Sequence, residues 1–161
     1  MHAKSEPMMT FDTLNDALDF AKQVVERQTA GAGVHTTGSY SLGQIIEHLA
    51  RSIEIGLGRV ETPPAPWLIR FLSRLMKNRF LKNGMKPGFK LPKATQDLFW
   101  PTSEVDSLLA LEHYEAAVGE LMSTEKPVAH PYFGDMSLQE HVALHCRHAE
   151  LHFSFVMMEE T

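Results

Sequence analysis

Cysteine is almost absent from this sequence. Cys146 is the one cysteine among 161 residues. An intramolecular disulfide therefore cannot form, and neither a disulfide-stabilised scaffold nor a cysteine-rich zinc module can be built. We expect a protein of a reducing compartment, the cytoplasm, and we interpret Cys146 as a small buried residue rather than as a nucleophile.

Long apolar runs and an excess of positive charge are also missing. No window reaches the roughly 18 apolar residues that a membrane span requires. The first residues, "MHAKSEPMMTFDTLNDALDF", lack the basic flank and apolar run of a signal peptide. The net charge of −5 and the pI of about 6.0 argue against general binding of nucleic acid. We therefore expect no export, no membrane span and no nucleic-acid partner.

Neither β-type alternation nor an internal repeat appears, whereas helical periodicity is strong. Capping boxes open two of the helices, at Ser41 with Gln44 and at Ser137 with Glu140. Apolar residues at three-and-four spacing predict four long helices, over roughly 11–28, 41–58, 103–122 and 138–158. We predict one all-α domain over 1–161, a four-helix bundle with a short extra helix and loop between the second and third long helices, preceded by a loose segment 1–9.

Acidic residues are absent between Glu61 and Asp97, where eight lysines and arginines fall. We predict a basic insert over 62–100 that consists of one helix, "PWLIRFLSRLMKNRFL", followed by an irregular loop. Three interpretations are open: a solvated basic face above an apolar stripe docked on the core, attraction of an anionic substrate or partner, and contact with a membrane surface.

Histidine is concentrated near the end of the chain, in "QEHVALHCRHAELHFSF". His141, His145, His148 and His152 follow one another by four, three and four residues, which keeps them within roughly 60° on a helix. The most polar residues fall on the opposite side, so the histidines face inward. A buried, unpaired polar group costs about 1 to 3 kcal/mol, and such a row therefore predicts a metal ion or a substrate pocket.

A single ion can be held by two of these histidines one turn apart, but the spacing does not decide which two. The pairs His141/His145, His145/His148 and His148/His152 all qualify. A third ligand must come from another helix, and His48 in "QIIEHLARS" is the best candidate because it lies at the border of an apolar stripe. Three neutral imidazoles leave room for water or substrate, as in catalytic metal sites.

The stretches "SLGQIIEHLA", "HPYFGDMSLQEH" and "LHCRHAELHF" together resemble the DinB-like superfamily, in particular a branch of unknown function whose last helix follows a His-Pro-aromatic-Phe-Gly turn. The likeness covers roughly 10–158. It implies an up-down-down-up four-helix bundle whose divalent metal, zinc or nickel first and iron or manganese next, is held by one histidine of the second helix and two of the last. On this chain those ligands are His48, His148 and His152.

The resemblance also implies roles for the neighbouring residues. His145, one turn from the ligands, would act in catalysis by hydrogen-bonding substrate or metal-bound water. His141 and His130 would be pocket-rim or structural residues. Apart from the resemblance, the position of Tyr132 and Phe133 before the histidine helix leaves two interpretations open: packing residues, or residues that line the mouth of the pocket.

Characterised relatives of this superfamily include transferases and isomerases that use low-molecular-weight thiols, and hydrolases have been proposed among them. We therefore expect an enzyme that uses its metal to activate a thiol or water for transfer or hydrolysis of a small-molecule substrate. The alternative is a non-catalytic module that binds a small molecule or an anion, and a third reading is a metal that only braces the fold. Apolar helical faces also suggest a homodimer.

Overall fold

The structure, a computed structural model, describes residues 9–88 and 93–159 and is mostly helical. The predicted loose segment 1–9 lies, except for Met9, outside these described residues. Within them the elements follow the order α1 Leu14–Thr29, β1 Val34–Thr36, α2 Leu42–Gly56, α3 Trp67–Asn83, α4 Lys93–Phe99, α5 Ser107–Ser123, α6 Leu138–Phe153 and β2 Val156–Met158.

Both predicted capping boxes open their helices, at Ser41 for α2 and at Ser137 for α6. A third box, which the sequence analysis did not single out, opens α1: the Thr13 hydroxyl accepts from the Asp16 amide, and the Asp16 carboxylate accepts from the Thr13 amide. Each box satisfies backbone donors that the first helical turn leaves without partners.

Three predicted details of the secondary structure are wrong. The third long helix starts at Ser107 rather than near 103, because the Asp106 carboxylate caps the amides of Leu108 and Leu109. A further short helix, α4, occupies part of the loop expected to be irregular. The last helix ends at Phe153 rather than at 158.

Beyond that end the chain forms β2, which pairs with β1 in an antiparallel two-stranded sheet that the sequence analysis did not foresee. Val34 lies opposite Met158, and Thr36 lies opposite Val156. Three residues per strand are too few for an alternating pattern to be recognised. The pairing itself depends on tertiary contact between distant parts of the chain.

The core lies among α1, α2, α5 and α6, whose buried apolar faces form one cluster. The largest fully buried side chains include Tyr114 of α5 and Phe153 of α6. α2 packs most extensively against α5, and Gly43 permits their close approach, because a Cβ at this position would lie 1.9 Å from the Val105 carbonyl oxygen. This packing positions α2, and with it His48, relative to α6.

α3 packs against α6 but buries none of its residues. The salt bridge from Lys77 to Glu140, 2.7 Å long, and the contact between the rings of Phe80 and Phe133 hold it in place. Of the three interpretations left open for this segment, the one in which its apolar stripe docks on the core is wrong. Six large apolar side chains of α3 are instead exposed: Trp67, Leu68, Phe71, Leu72, Leu75 and Met76. No helix among the described residues is long and apolar enough to cross a membrane.

Candidate metal centre

His48, His148 and His152 meet between α2 and α6. The Nε2 atom of His48 lies 3.1 Å from that of His148 and 3.2 Å from that of His152, and the latter two are 2.9 Å apart. His148 and His152 converge because they are one turn apart on α6, and His48 faces them from the middle of α2. The structure thus brings together the three histidines that the resemblance implied as ligands, and they could hold a metal ion.

The hydrogen positions explain why a cation suits this triangle. The Nδ1 atom of His48 lies 3.2 Å from the Phe99 carbonyl oxygen, which can only accept, so Nδ1 carries the hydrogen and Nε2 presents a lone pair. Each remaining Nε2 atom carries either a hydrogen or a lone pair. A hydrogen bond between two of these atoms needs one N–H group and one lone pair, and three atoms cannot meet this condition in all three pairs. At least one pair therefore sets two lone pairs or two N–H groups against each other. A cation at the triangle would satisfy all three nitrogens at once.

The size of the triangle also fits. Two nitrogens bound to zinc at about 2.0 to 2.1 Å in tetrahedral geometry are roughly 3.3 Å apart. The observed separations of 2.9 to 3.2 Å are slightly shorter and would open by a few tenths of an ångström.

Burial keeps the three imidazoles neutral. Loss of solvation, reinforced by the neighbouring imidazoles, lowers the pKa of His48 and of His148 well below the usual value, and burial lowers the pKa of His152 to about 4. Near pH 7 all three rings are therefore unprotonated, which is the form that binds metal.

Aromatic rings wall the triangle on one side. Trp100 stacks on His48, with ring centroids 3.9 Å apart and an interplanar angle of 5°, and meets His152 edge-on at 5.2 Å. Tyr40 stacks on the other face of Trp100 at 3.7 Å. The sequence analysis did not find this wall, nor the Phe99 carbonyl that orients His48, because neither belongs to a periodic pattern. The unusual "LFWPT" just before α5 was the only available signal.

The other histidines of interest form a second group, made by His141 and His145 near the N-terminal end of α6 and by His130 in the turn before it. The ring centroid of His141 lies 6.1 Å from that of His145 and 6.4 Å from that of His130. Gly56 makes room for His141, since a Cβ there would lie 2.9 Å from Nδ1 of that ring. The structure therefore does not place His130, His141 or His145 in the triangle. His141 is fully buried rather than at a rim.

This second group holds unsatisfied nitrogen atoms. Among the described residues neither ring nitrogen of His141, nor Nε2 of His145, has a hydrogen-bond partner. Burial lowers the pKa of His145 and of His130 to about 3. It also lowers the pKa of His141, although the backbone of Val128 nearby favours the protonated ring and so raises that pKa in part. The group is therefore a neutral, polar interior that extends the histidine row away from the triangle.

The turn "HPYFG" carries the remaining predicted pocket residues. The Nδ1 atom of His130 accepts hydrogen bonds from the amides of Tyr132 and Phe133, at 3.2 and 3.3 Å, and a two-bond bridge joins His130 to Gly134. Tyr132 and Phe133 are half-buried and lie beside His130. The turn thus orients His130 with Nε2 as its donating nitrogen.

No carboxylate of the described residues takes part in the triangle. Three glutamates lie close to the histidines in sequence, and each is engaged elsewhere. Their partners are Arg51 and His113 for Glu47, Lys77 and the Ser137 amide for Glu140, and Arg147 and the Phe11 amide for Glu150. Cys146 is buried, as predicted, and burial raises the pKa of its thiol to about 11, so it remains protonated.

Comparison with known proteins gives one result. A family model described as "Protein of unknown function (DUF1569)" matches residues 3–159. No curated protein and no solved structure matches the chain. Because the match spans nearly the whole sequence, the chain belongs to the DUF1569 family of proteins of unknown function.

Proposed function

We propose that the protein binds one divalent metal ion through His48, His148 and His152 and uses it to activate a thiol or water. The observation that carries this proposal is the convergence of three neutral Nε2 atoms within 2.9 to 3.2 Å of one another. Zinc and nickel suit a site made only of imidazoles best; iron and manganese come next.

The proposal includes the architecture that the resemblance implies, a DinB-like four-helix bundle in up-down-down-up order. The packing of α1, α2, α5 and α6 around one apolar cluster supports it. In such a bundle, metal sites are built from side chains on facing helices, as His48 and the α6 pair are here.

A divalent ion with three neutral protein ligands keeps a position open for a further ligand and lowers the pKa of a water or thiol there. The chain supplies the rest. The Phe99 carbonyl holds His48 in the tautomer that presents Nε2, and Trp100 excludes water from one side. We assign to His145 the contact with substrate, because its Nε2 atom is buried without a partner among the described residues and it lies one turn before His148.

We propose a small-molecule substrate, with a low-molecular-weight thiol as the first candidate, and transfer or hydrolysis as the reaction. The buried nitrogens of His141 and His145 offer hydrogen bonds to polar groups of such a substrate. His130, with Tyr132 and Phe133, would line the approach.

Metal content tests the ligand set. Protein purified without a histidine tag should contain one equivalent of metal, and His148→Ala should lose it while its far-UV circular dichroism is unchanged. His35→Ala is the matched control, because His35 is exposed on β1 and should leave the metal in place. Full metal occupancy in His148→Ala would contradict the assignment.

A second candidate is a non-catalytic module that binds an anion or another small molecule. A cavity of about 250 Å³ between α3, the chain before it and the "HPYFG" turn favours it, since Arg70 and Arg74 contribute two positive charges to its wall against the single carboxylate of Asp135. The Arg74 guanidinium packs against Gly134, whose φ of 73° and missing side chain permit that contact.

Thermal unfolding with added ligands separates the two candidates. A metal centre predicts stabilisation by zinc or nickel, loss of that stabilisation with chelator, and a further shift with a thiol only when metal is bound. Stabilisation by phosphate or carboxylates but by no metal would favour the anion-binding module. Unfolding by chelator, with no exchangeable water on the ion, would instead indicate a metal that braces the fold.

A further inference from the structure

The exposed side of α3 is unusual for a protein surface. Trp67 is 77% exposed and Leu75 is 67% exposed, and the six apolar side chains named above cover about half of the helix circumference. The other exposed large apolar residues of the described chain are scattered over α4, α5, the loops and β2. A contiguous apolar face of this kind marks a site that another surface covers.

The contacts of α3 with the rest of the protein hold this face outward. The less exposed residues of α3, among them Ser73, Lys77 and Phe80, lie on the side toward α6, and Lys77 is tied to Glu140 there. The helix is therefore presented as a formed element whose apolar side points away from the core. None of these contacts of α3 involves the metal centre.

The charge around this face identifies the chemistry of its partner. Between Glu61 and Asp97 the chain has eight lysines and arginines and no acid, while the remainder has 7 basic residues against 20 acidic ones. On the helix, Arg70 and Arg74 lie at one edge of the apolar face, whereas Arg79 and Lys82 are exposed on its outward side, about one turn beyond Leu75 and Met76. The partner must therefore be anionic at its rim and apolar at its centre.

Two other occupants fit these charges less well. A second copy of the chain related by twofold symmetry would place this face against itself, and two segments with eight positive charges each would repel. A nucleic acid would match the charge but would leave Trp67, Phe71 and Leu75 in water. An anionic bilayer offers headgroup charge and an apolar boundary together, and helices that lie on bilayers combine lysine and arginine with tryptophan, phenylalanine and leucine.

We infer that α3 docks on the surface of an anionic lipid bilayer, with Trp67, Phe71 and Leu75 inserted at the headgroup boundary and Arg79 and Lys82, which are exposed on the same side, bound to lipid phosphates. The protein then lies on the membrane rather than across it.

Vesicle sedimentation with the full-length protein tests this inference. The protein should sediment with vesicles of equal parts phosphatidylcholine and phosphatidylglycerol, should stay in solution with phosphatidylcholine alone, and should be released by added salt. Insertion of Trp67 would shift its indole emission to shorter wavelength; the shift should disappear in Trp67→Ser and persist in Trp100→Phe, which removes the other tryptophan.

Matched variants locate the surface. Phe71→Ser with Leu75→Ser should abolish vesicle binding, whereas Leu108→Ser with Leu109→Ser on α5, where the side chains are 50% and 64% exposed, should leave it unchanged. Arg79→Gln with Lys82→Gln should weaken binding roughly thirtyfold. All four positions of the two serine pairs are exposed, so the variants should fold, which circular dichroism would verify.

Three results would overturn the inference: absence of binding to the anionic vesicles, equal loss of binding in the α3 and α5 serine variants, and a stable dimer that Phe71→Ser with Leu75→Ser converts to monomer. Light scattering coupled to size-exclusion chromatography measures the last of these.

Discussion

Gly43 links the packing of the helices to the metal centre, and replacing it with alanine should damage both. A Cβ at this position would lie 1.9 Å from the Val105 carbonyl oxygen and 2.8 Å from the carbonyl carbon. Both are backbone atoms, so no side chain can rotate away. Ordinary van der Waals contact between such atoms requires a separation of about 3.4 Å or more. To reach it, α2 would have to move away from the chain before α5 by more than 1 Å.

The expected size of the effect follows from two opposed contributions. Alanine is favoured over glycine inside a helix by about 1 kcal/mol, while overpacking a close contact costs about 1 to 3 kcal/mol, and here the contact is with rigid backbone. We expect Gly43→Ala to lower the free energy of unfolding by about 2 kcal/mol. Because His48 follows on the same helix, displacement of α2 should also move its Nε2 atom away from His148 and His152 and weaken metal binding.

Gly119→Ala is the matched control. Gly119 lies in α5, is exposed, and a Cβ there would meet nothing within 4 Å, so only the helix preference acts and stability should rise by about 1 kcal/mol. Urea unfolding followed by circular dichroism measures both variants, and zinc titration measures the site. If Gly43→Ala proved as stable as Gly119→Ala and bound metal like the original protein, the close approach of α2 to Val105 would not be what positions His48.

Three further perturbations test individual contacts. Trp100→Ala removes the ring stacked on His48 and should weaken zinc affinity about 10- to 100-fold, whereas Trp100→Phe should retain most of it; equal affinities in a competition titration would refute a role for the aromatic wall. Burial lowers the pKa of His145 to about 3, so below about pH 6.5 the unfolded chain binds a proton at this residue that the folded chain does not, and this residue alone lowers stability by about 1.4 kcal/mol per pH unit as the pH drops toward 3. His145→Leu should show a shallower dependence of its urea midpoint on pH over that range, and an unchanged slope would contradict the buried neutral state. For His113, burial would lower the pKa, but hydrogen bonds to Glu47 and Glu54 outweigh it and raise the pKa, so the stabilisation is complete below about pH 6.5 and is lost as the pH rises through the raised value. The stability difference between the original protein and His113→Gln should therefore be largest in mild acid and should shrink at alkaline pH; a difference that grew with pH would be the opposite of this expectation.

The sequence determined the helices and the direction of the histidine row, because both follow from local rules. Capping boxes at Ser41 and Ser137 need only residues three apart, and the inward orientation of His148 and His152 needs only helical periodicity. The choice of this pair over His141/His145 did not follow from spacing. It came from the resemblance, and the structure separates the two pairs into different groups.

Only the tertiary structure decided which distant residues complete the site and which surface remains open. The Phe99 carbonyl and Trp100 reach His48 across about 50 positions of sequence, and contacts over such separations have no periodic signature. The surroundings of α3 were likewise left open by the sequence. Its apolar stripe predicts a face that something covers, but not whether the core or another surface covers it. The helical pattern records that one side of α3 is apolar, but the orientation of that side is set by tertiary contacts, and here α3 packs on α6 with its apolar side exposed.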